Sequence, residues 1–147
     1  MNPSYVIRDF REEDFPKIAE FWASTDLGGS IRGDNAAVVI RTLAHGGIFL
    51  VMEASASAEI LGTSWMTNDS RRFYLHHFGI APHCQHQGLG KALLKASLDR
   101  ICDSGLQLKL EVHRGNHAAI SLYRSHGFAN LCDYDSYIIR DLANPIP

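Results

Sequence analysis

One stretch constrains this chain more than any other: H-C-Q-H-Q-G-L-G-K-A-L-L, from His83 to Leu94. It follows an apolar, strand-like run from Phe73 to Pro82 and opens a long amphipathic pattern with Leu94, Ser97, Leu98 and Ile101 on one face. A strand, a glycine-bearing turn and a helix, in that order, make an anion site. The first N–H groups of a helix have no internal partner, and the helix dipole favours negative charge there. Gly88 and Gly90 carry no Cβ, so a phosphate can lie directly against the backbone. The turn reads as the seat of a phosphate-bearing cofactor.

Spacing narrows the choice. A Walker loop needs glycine where Gln85 stands and a hydroxyl where Ala92 stands, which argues against a Mg-nucleotide site. The dinucleotide fingerprint fails because Gly88 and Gly90 are followed by Leu93. What remains is Gln85-x-x-Gly88-x-Gly90. Further on, Asn116 to Phe128 reads N-x-x-A-x-x-x-Y-x-x-x-G-F, with Ala119, Tyr123 and Gly127 at its fixed positions. Together the two patterns resemble the GNAT (GCN5-related N-acetyltransferase) family. Through L-E-V-x-x-x-N-x-A-A-I-x-L-Y-x-x-x-G-F the chain is most similar in motif to bacterial ribosomal-protein N-terminal acetyltransferases.

The chain's 147 residues suit one domain, 1–147, with a proper core. Hydropathy alternation and capping signals give the order β-α-α-β-β-β-α-β-α-β-β. That is an α/β (α+β) arrangement, a mixed central sheet of six to seven strands flanked by about four helices, and it matches the GNAT fold. Strands are expected at 5–10, 48–54, 60–67, 73–80 and 106–113, with a last hairpin from Phe128 to Leu142. Asp34 or Asn35 is expected to cap the second helix, and Gly79 to mark a bulge in the fourth strand.

A formal net charge of -2 argues against a general nucleic-acid binder. No run approaches the roughly 18 apolar residues of a membrane span, and no leader pattern opens the chain. The three cysteines read as free thiols in a reducing cytoplasm. Eight histidines raise a metal reading, but His83, Cys84 and His86 occupy the phosphate turn, and Gly115-Asn116 breaks helical spacing between His113 and His117. No metal is expected. Cys84, beside a helix start, is a candidate reactive thiol.

The resemblance implies an acetyl-CoA-dependent N-acetyltransferase using direct attack by an amine acceptor, either a small molecule or a protein N-terminus. The attacking amine must be neutral, although a free alkylamine has a pKa of about 10. The oxyanion must be stabilised and the departing thiolate protonated. By resemblance, Gln85 and the amides of His86, Gln87, Gly88, Leu89, Gly90 and Lys91 hold the pyrophosphate. The backbone of Phe78, Gly79 and Ile80 pairs with the pantetheine arm, and Asn116 and Ala119 support it. Tyr123 stands at the general-acid position, although a half-buried aromatic is the plainer reading of that side chain. Glu111 matches a carboxylate that acts as base through water, or is a solvated strand residue.

Where several relatives carry an acid, this chain offers His76 and His77, which strict alternation places on opposite sides of the sheet. An imidazole with a pKa of about 6.5 is a workable base, and one of the two is expected to be structural. His113 is a weaker candidate. Lys91, Lys95 and Arg124 are within reach of the outer phosphate, or are solvated helix faces. Trp22 to Arg32 is expected to wall the acceptor pocket, with Asp26 and Asp34 drawing a cationic amine. A module that binds acyl-CoA without turnover is the alternative, and a homodimer is compatible with the sequence.

Overall fold

The computed structural model describes residues 2–25, 27 and 33–145. Residues 1–113 form one compact unit and 114–147 a second. The first unit is built on a five-stranded sheet in the order β1-β2-β3-β4-β5. Its strands are β1 (Tyr5–Asp9), β2 (Ile48–Ala54), β3 (Ile60–Asn68), β4 (Arg72–Ile80) and β5 (Gln107–Leu110). The first four pair antiparallel, and β5 joins β4 in parallel. Between them run α1 (Phe15–Thr25), α2 (Ala36–Ala44) and α3 (Leu89–Ile101); the second unit holds α4 (His117–Ser125).

The central strand β3 is buried on both faces, and its alternation sorts the helices. Thr63 and Trp65 point one way: the Trp22 indole on α1 donates to Thr63 Oγ1 at 3.0 Å, and the Trp65 indole donates to Thr42 Oγ1 on α2 at 2.9 Å. Gly62 and Ser64 point the other way. The Ser64 hydroxyl lies 2.7 Å from that of Ser97 on α3, and any Cβ at Gly62 would strike Ile80 and Leu93. Each fully buried large apolar side chain here contributes about 1.5–3 kcal/mol.

Local signals explain the boundaries. Asn35 caps α2 by accepting from Val38 N at 3.0 Å, and the chain leaves that helix through Gly46, at φ +85°. At the entry to α1, Arg8 grips Asp14 through two hydrogen bonds of 2.7 and 2.8 Å, while Arg11 N donates to the same carboxylate.

The expected final hairpin is not formed. Residues 128–145 contain no strand among the described residues, and the sheet has five strands rather than six or seven. The β-rich run Tyr137-Ile138-Ile139 lies exposed, Tyr137 at 93%. β-propensity describes a side chain's fit to a half-buried pleated surface, and a segment that finds no neighbouring edge cannot use it. No helix among the described residues is long and apolar enough to cross a membrane.

Candidate functional site

The site is laid out along β4. One edge of this strand pairs with β3, but the other meets β5 only from Arg72↔Gln107 to Leu75↔Leu110. Beyond Leu75 the two parallel strands part, and His76 to Ile80 run on with no strand at that edge among the described residues. Backbone polar groups along such an edge are a template for another extended chain.

The same half of β4 carries a bulge, a step before the expected position. Trp65 pairs with His76 and Thr63 with Gly79, so Ser64 alone opposes both His77 and Phe78. His77 takes up the extra residue at φ +44°. Strict alternation, which put the two histidines on opposite faces, is therefore overturned. Both rings lie on the α1/α2 face against Trp65, at 5.4 and 5.5 Å between centroids. Past the bulge the phase is reversed. Gly79 now faces Leu27, which leaves no room for a Cβ, and Ile80 enters the core beside α3.

The histidines divide the work. His77 is held at both nitrogens: Nδ1 meets the Leu27 carbonyl, and Nε2 lies 2.7 Å from Asp34 Oδ2. Its ring also packs 4.4 Å from Trp22. It is the structural member of the pair, and it occupies the Asp34 carboxylate expected to attract an amine. His76 is tied only by Nε2, 3.0 Å from Thr67 Oγ1, and it stacks on Tyr74 at 4.9 Å. Burial, and then the neighbouring His77, hold the His76 pKa below its ordinary value against the pull of Asp34 and Glu111. His76 is thus a neutral imidazole at neutral pH.

Glu111 follows β5 on the same face. Burial first, and then the hydrogen bond that its phenol donates to Glu111, push Tyr74 up to about 12. Glu111, Tyr74 and His76 form one cluster at the point where the strands part. His113 is exposed beyond the end of β5. Asp26 and most of the loop from Trp22 to Arg32 lie outside the described residues.

The glycine turn has the backbone an anion needs. His86 and Gly88 both adopt left-handed conformations, at φ +62° and +81°, and Gly88 is the N-cap of α3 with no side chain closing it. A Cβ at Gly88 would meet nothing within 4 Å. The turn is anchored from beneath: Gln85 Nε2 donates to the Ile80 carbonyl at 3.1 Å, and Gln87 Nε2 to that of His83 at 3.3 Å. Leu89 is buried, Gly90 is partly covered, and Lys91 is exposed in the first turn. Lys95 pairs with Asp99 at 2.6 Å on the exposed face. Cys84 is not the reactive thiol expected, because it is buried in the core and desolvation raises its pKa.

In the second unit, Asn116 caps α4, accepting from Ala119 N at 3.2 Å. Tyr123 is 8% exposed, its ring 5.4 Å from that of Phe128, and burial pushes its phenol up to about 12. It holds its proton throughout the neutral range. Arg124 is exposed.

Tyr74, Thr67 and Trp65 were not singled out in the sequence. The signal available for Tyr74 was its period-two relation to His76, which puts both on one face ahead of the bulge.

Comparison with known proteins places the chain in a family and a fold. Residues 6–128 match the model of the acetyltransferase (GNAT) family. A mycothiol acetyltransferase from Renibacterium salmoninarum is 52% identical over 52 residues, 35% of this chain, a match that spans 15% of that relative's length. An acetyltransferase of the GNAT family from Staphylococcus aureus Mu50 superposes with a TM-score of 0.77 at 17% identity, covering 90% of this chain and 89% of that one. The ribosomal-protein-S18-alanine N-acetyltransferase from Escherichia coli does so with a TM-score of 0.70 at 22% identity, covering 84% and 77%. These two likenesses carry the fold, and the family match takes in most of the sequence, both motifs included: the chain belongs to the acetyltransferase (GNAT) family.

Proposed function

We propose that this chain moves an acetyl group from acetyl-CoA to a primary amine by direct attack. The observation that carries the reading is the parting of β4 from β5 just ahead of a helix start capped by glycine alone. An extended pantetheine arm fits the open edge from Phe78 to Ile80. A pyrophosphate fits the N–H groups of Leu89, Gly90 and Lys91, with the left-handed turns at His86 and Gly88 beneath it.

In this reading the amine nitrogen bonds to the thioester carbon as the carbon–sulfur bond breaks. The amine's proton passes to His76, or through water to Glu111, and the departing sulfur takes the Tyr123 proton. A phenol with a pKa of about 12 keeps that proton until a strong base forms beside it. By family resemblance, Asn116 and Ala119 bind the pantetheine. The acceptor is a small amine or a protein N-terminus. Three cysteines, none of them in a disulfide, accord with work in the cytoplasm.

Calorimetric titration with acetyl-CoA, on the parent and on Gly88→Glu, tests the seat. Binding by the parent that is lost in the variant supports it. An amine panel scored by CoA release tests the reaction. Binding without turnover of any amine would return the chain to the role of an acyl-CoA-binding module, and no binding by a folded parent would remove acetyl-CoA altogether.

A further inference from the structure

Ahead of the bulge, one face of β4 presents Arg72, Tyr74 and His76 in succession, and β5 sets Lys109 beside Tyr74 and Glu111 further along. These side chains do not cover a flat surface. Arg71, Arg72, Tyr74, His76, Lys109 and Asp69 border a recess of about 290 Å³. The recess is polarised along its length, with Arg71 and Arg72 at the start of β4, Lys109 beside Tyr74 and His76 where the strands part; Glu111 follows Lys109 just outside its lining.

The cations outnumber what the chain sets against them. Asp69 Oδ1 accepts from the backbone N–H groups of Arg71 and Arg72, at 2.8 and 2.7 Å, and its charge sits beside theirs, so three cations face the two carboxylates of Asp69 and Glu111. Lys109 Nζ lies 5.8 Å from the centre of the Tyr74 ring. Among the described residues, Arg71, Arg72 and Lys109 form no ion pair. The pyrophosphate turn does not call on them either, since it follows the far end of β4, roughly 25 Å away at strand rise.

Resting on the acetyltransferase reading above, we infer that the acceptor carries an oxyanion as well as its amine, and that Arg72 and Lys109, with Arg71 at the rim, hold that oxyanion while the amine lies at His76 and Glu111. Two residues along a strand separate Lys109 from Glu111, roughly 7 Å. A short ω-amino acid or an amino phosphate spans that distance, and the recess suits a molecule of that size. A guanidinium grips carboxylate and phosphate alike through paired N–H groups. Arg72, Lys109 and Arg71 are specificity-determining residues in this arrangement.

The test compares γ-aminobutyrate, O-phosphoethanolamine, n-butylamine and a trialanine amide as acceptors by CoA release. It is run on the parent, Arg72→Gln and Lys109→Gln, with acetyl-CoA affinity and melting temperature measured on each. A parallel arm titrates O-phosphoethanolamine calorimetrically into each protein with CoA present. The two oxyanion-bearing acceptors are expected to exceed n-butylamine in kcat/KM by about tenfold or more, mostly through KM, and each variant to lower that ratio by about tenfold. If Arg72→Gln does not fold, Lys109→Gln carries the comparison.

Equal use of n-butylamine, preference for the peptide amide, or an unchanged ratio in folded variants overturns the inference and leaves the enzyme standing. If no amine is acetylated, calorimetry decides. Phosphoethanolamine binding that Lys109→Gln abolishes keeps the oxyanion site and overturns the reaction, whereas no binding by the parent overturns the site.

Discussion

Nε2 of His77 lies 2.7 Å from the carboxylate of Asp34, a residue 43 positions earlier in the chain. The contact fastens the segment ahead of α2 to the bulge of β4. The imidazole is nearly buried, with 5% of its side chain exposed, so Asp34→Ala would leave one of its nitrogens without a partner. The expected cost is about 1–3 kcal/mol. It would be read as a lower urea midpoint at unchanged slope; an unchanged midpoint would show that the pair contributes nothing.

His76 has a pKa below about 6.5, so its imidazole stays neutral down to that lowered value and is protonated below it. The acid limb of kcat/KM is expected on the acid side of 6.5. His76→Gln should lower kcat/KM by about a hundredfold and remove that limb. The acceptor's own titration is common to both proteins and cancels in their ratio. If the limb survives in His76→Gln, Glu111 is the base.

Tyr123→Phe removes the proposed acid and almost no volume. We expect kcat to fall by about a hundredfold or more while acetyl-CoA affinity stays within a factor of two or so. With the phenol at about 12, Tyr123 contributes no alkaline limb below roughly pH 11. Loss of cofactor affinity in step with kcat would show a binding role instead.

Arg8 and Asp14 make an acid-sensitive fastening at the entry to α1. Burial raises the Asp14 pKa, but the Arg8 guanidinium and the Arg11 N–H outweigh it and hold the carboxyl below its ordinary value. A depressed carboxylate stabilises the fold above its unfolded pKa, and that contribution is lost as pH falls through the folded value. Arg8→Met should cost on the order of 3 kcal/mol at pH 7, because it leaves a buried carboxylate unpaired. As pH falls through the lowered folded value, Asp14 becomes protonated in both proteins and the difference should shrink. Urea titrations run from pH 7 downward check both statements.

Local chemistry made most of this architecture legible. The strand at 48–54, the Asn35 cap and the glycine-capped start of α3 follow from a short apolar run, a capping side chain and Cβ-free backbone, each set within a few residues. The bulge was placed too late because Gly79 drew the assignment, although the apolar phase already shifts from Phe73 and Leu75 to Phe78 and Ile80, and the surplus residue is a histidine rather than a glycine. The pairing of His77 with Asp34 obeys no spacing rule, since tertiary packing alone brings the two together. Tyr137 to Ile139 erred in the opposite direction. Its pattern is that of a strand, but a pattern does not supply the edge to which a strand must bind.

The surplus residue in β4 also sets how the gene tolerates change in length. Removing codon 77 would restore an unbroken ladder with β3 and leave Gly79 opposite Thr63 and Ile80 opposite Gly62, so the later residues of the strand keep their faces. Ile80 would stay beside α3, and the loss would fall on the contacts of the His77 ring with Leu27 and Asp34. A one-codon deletion in the exposed turn at 55–57 displaces no buried face. A deletion scan should therefore be silent in the hairpin turn, while a deletion at 77 keeps the register of β4 and costs stability through the lost His77–Asp34 contact.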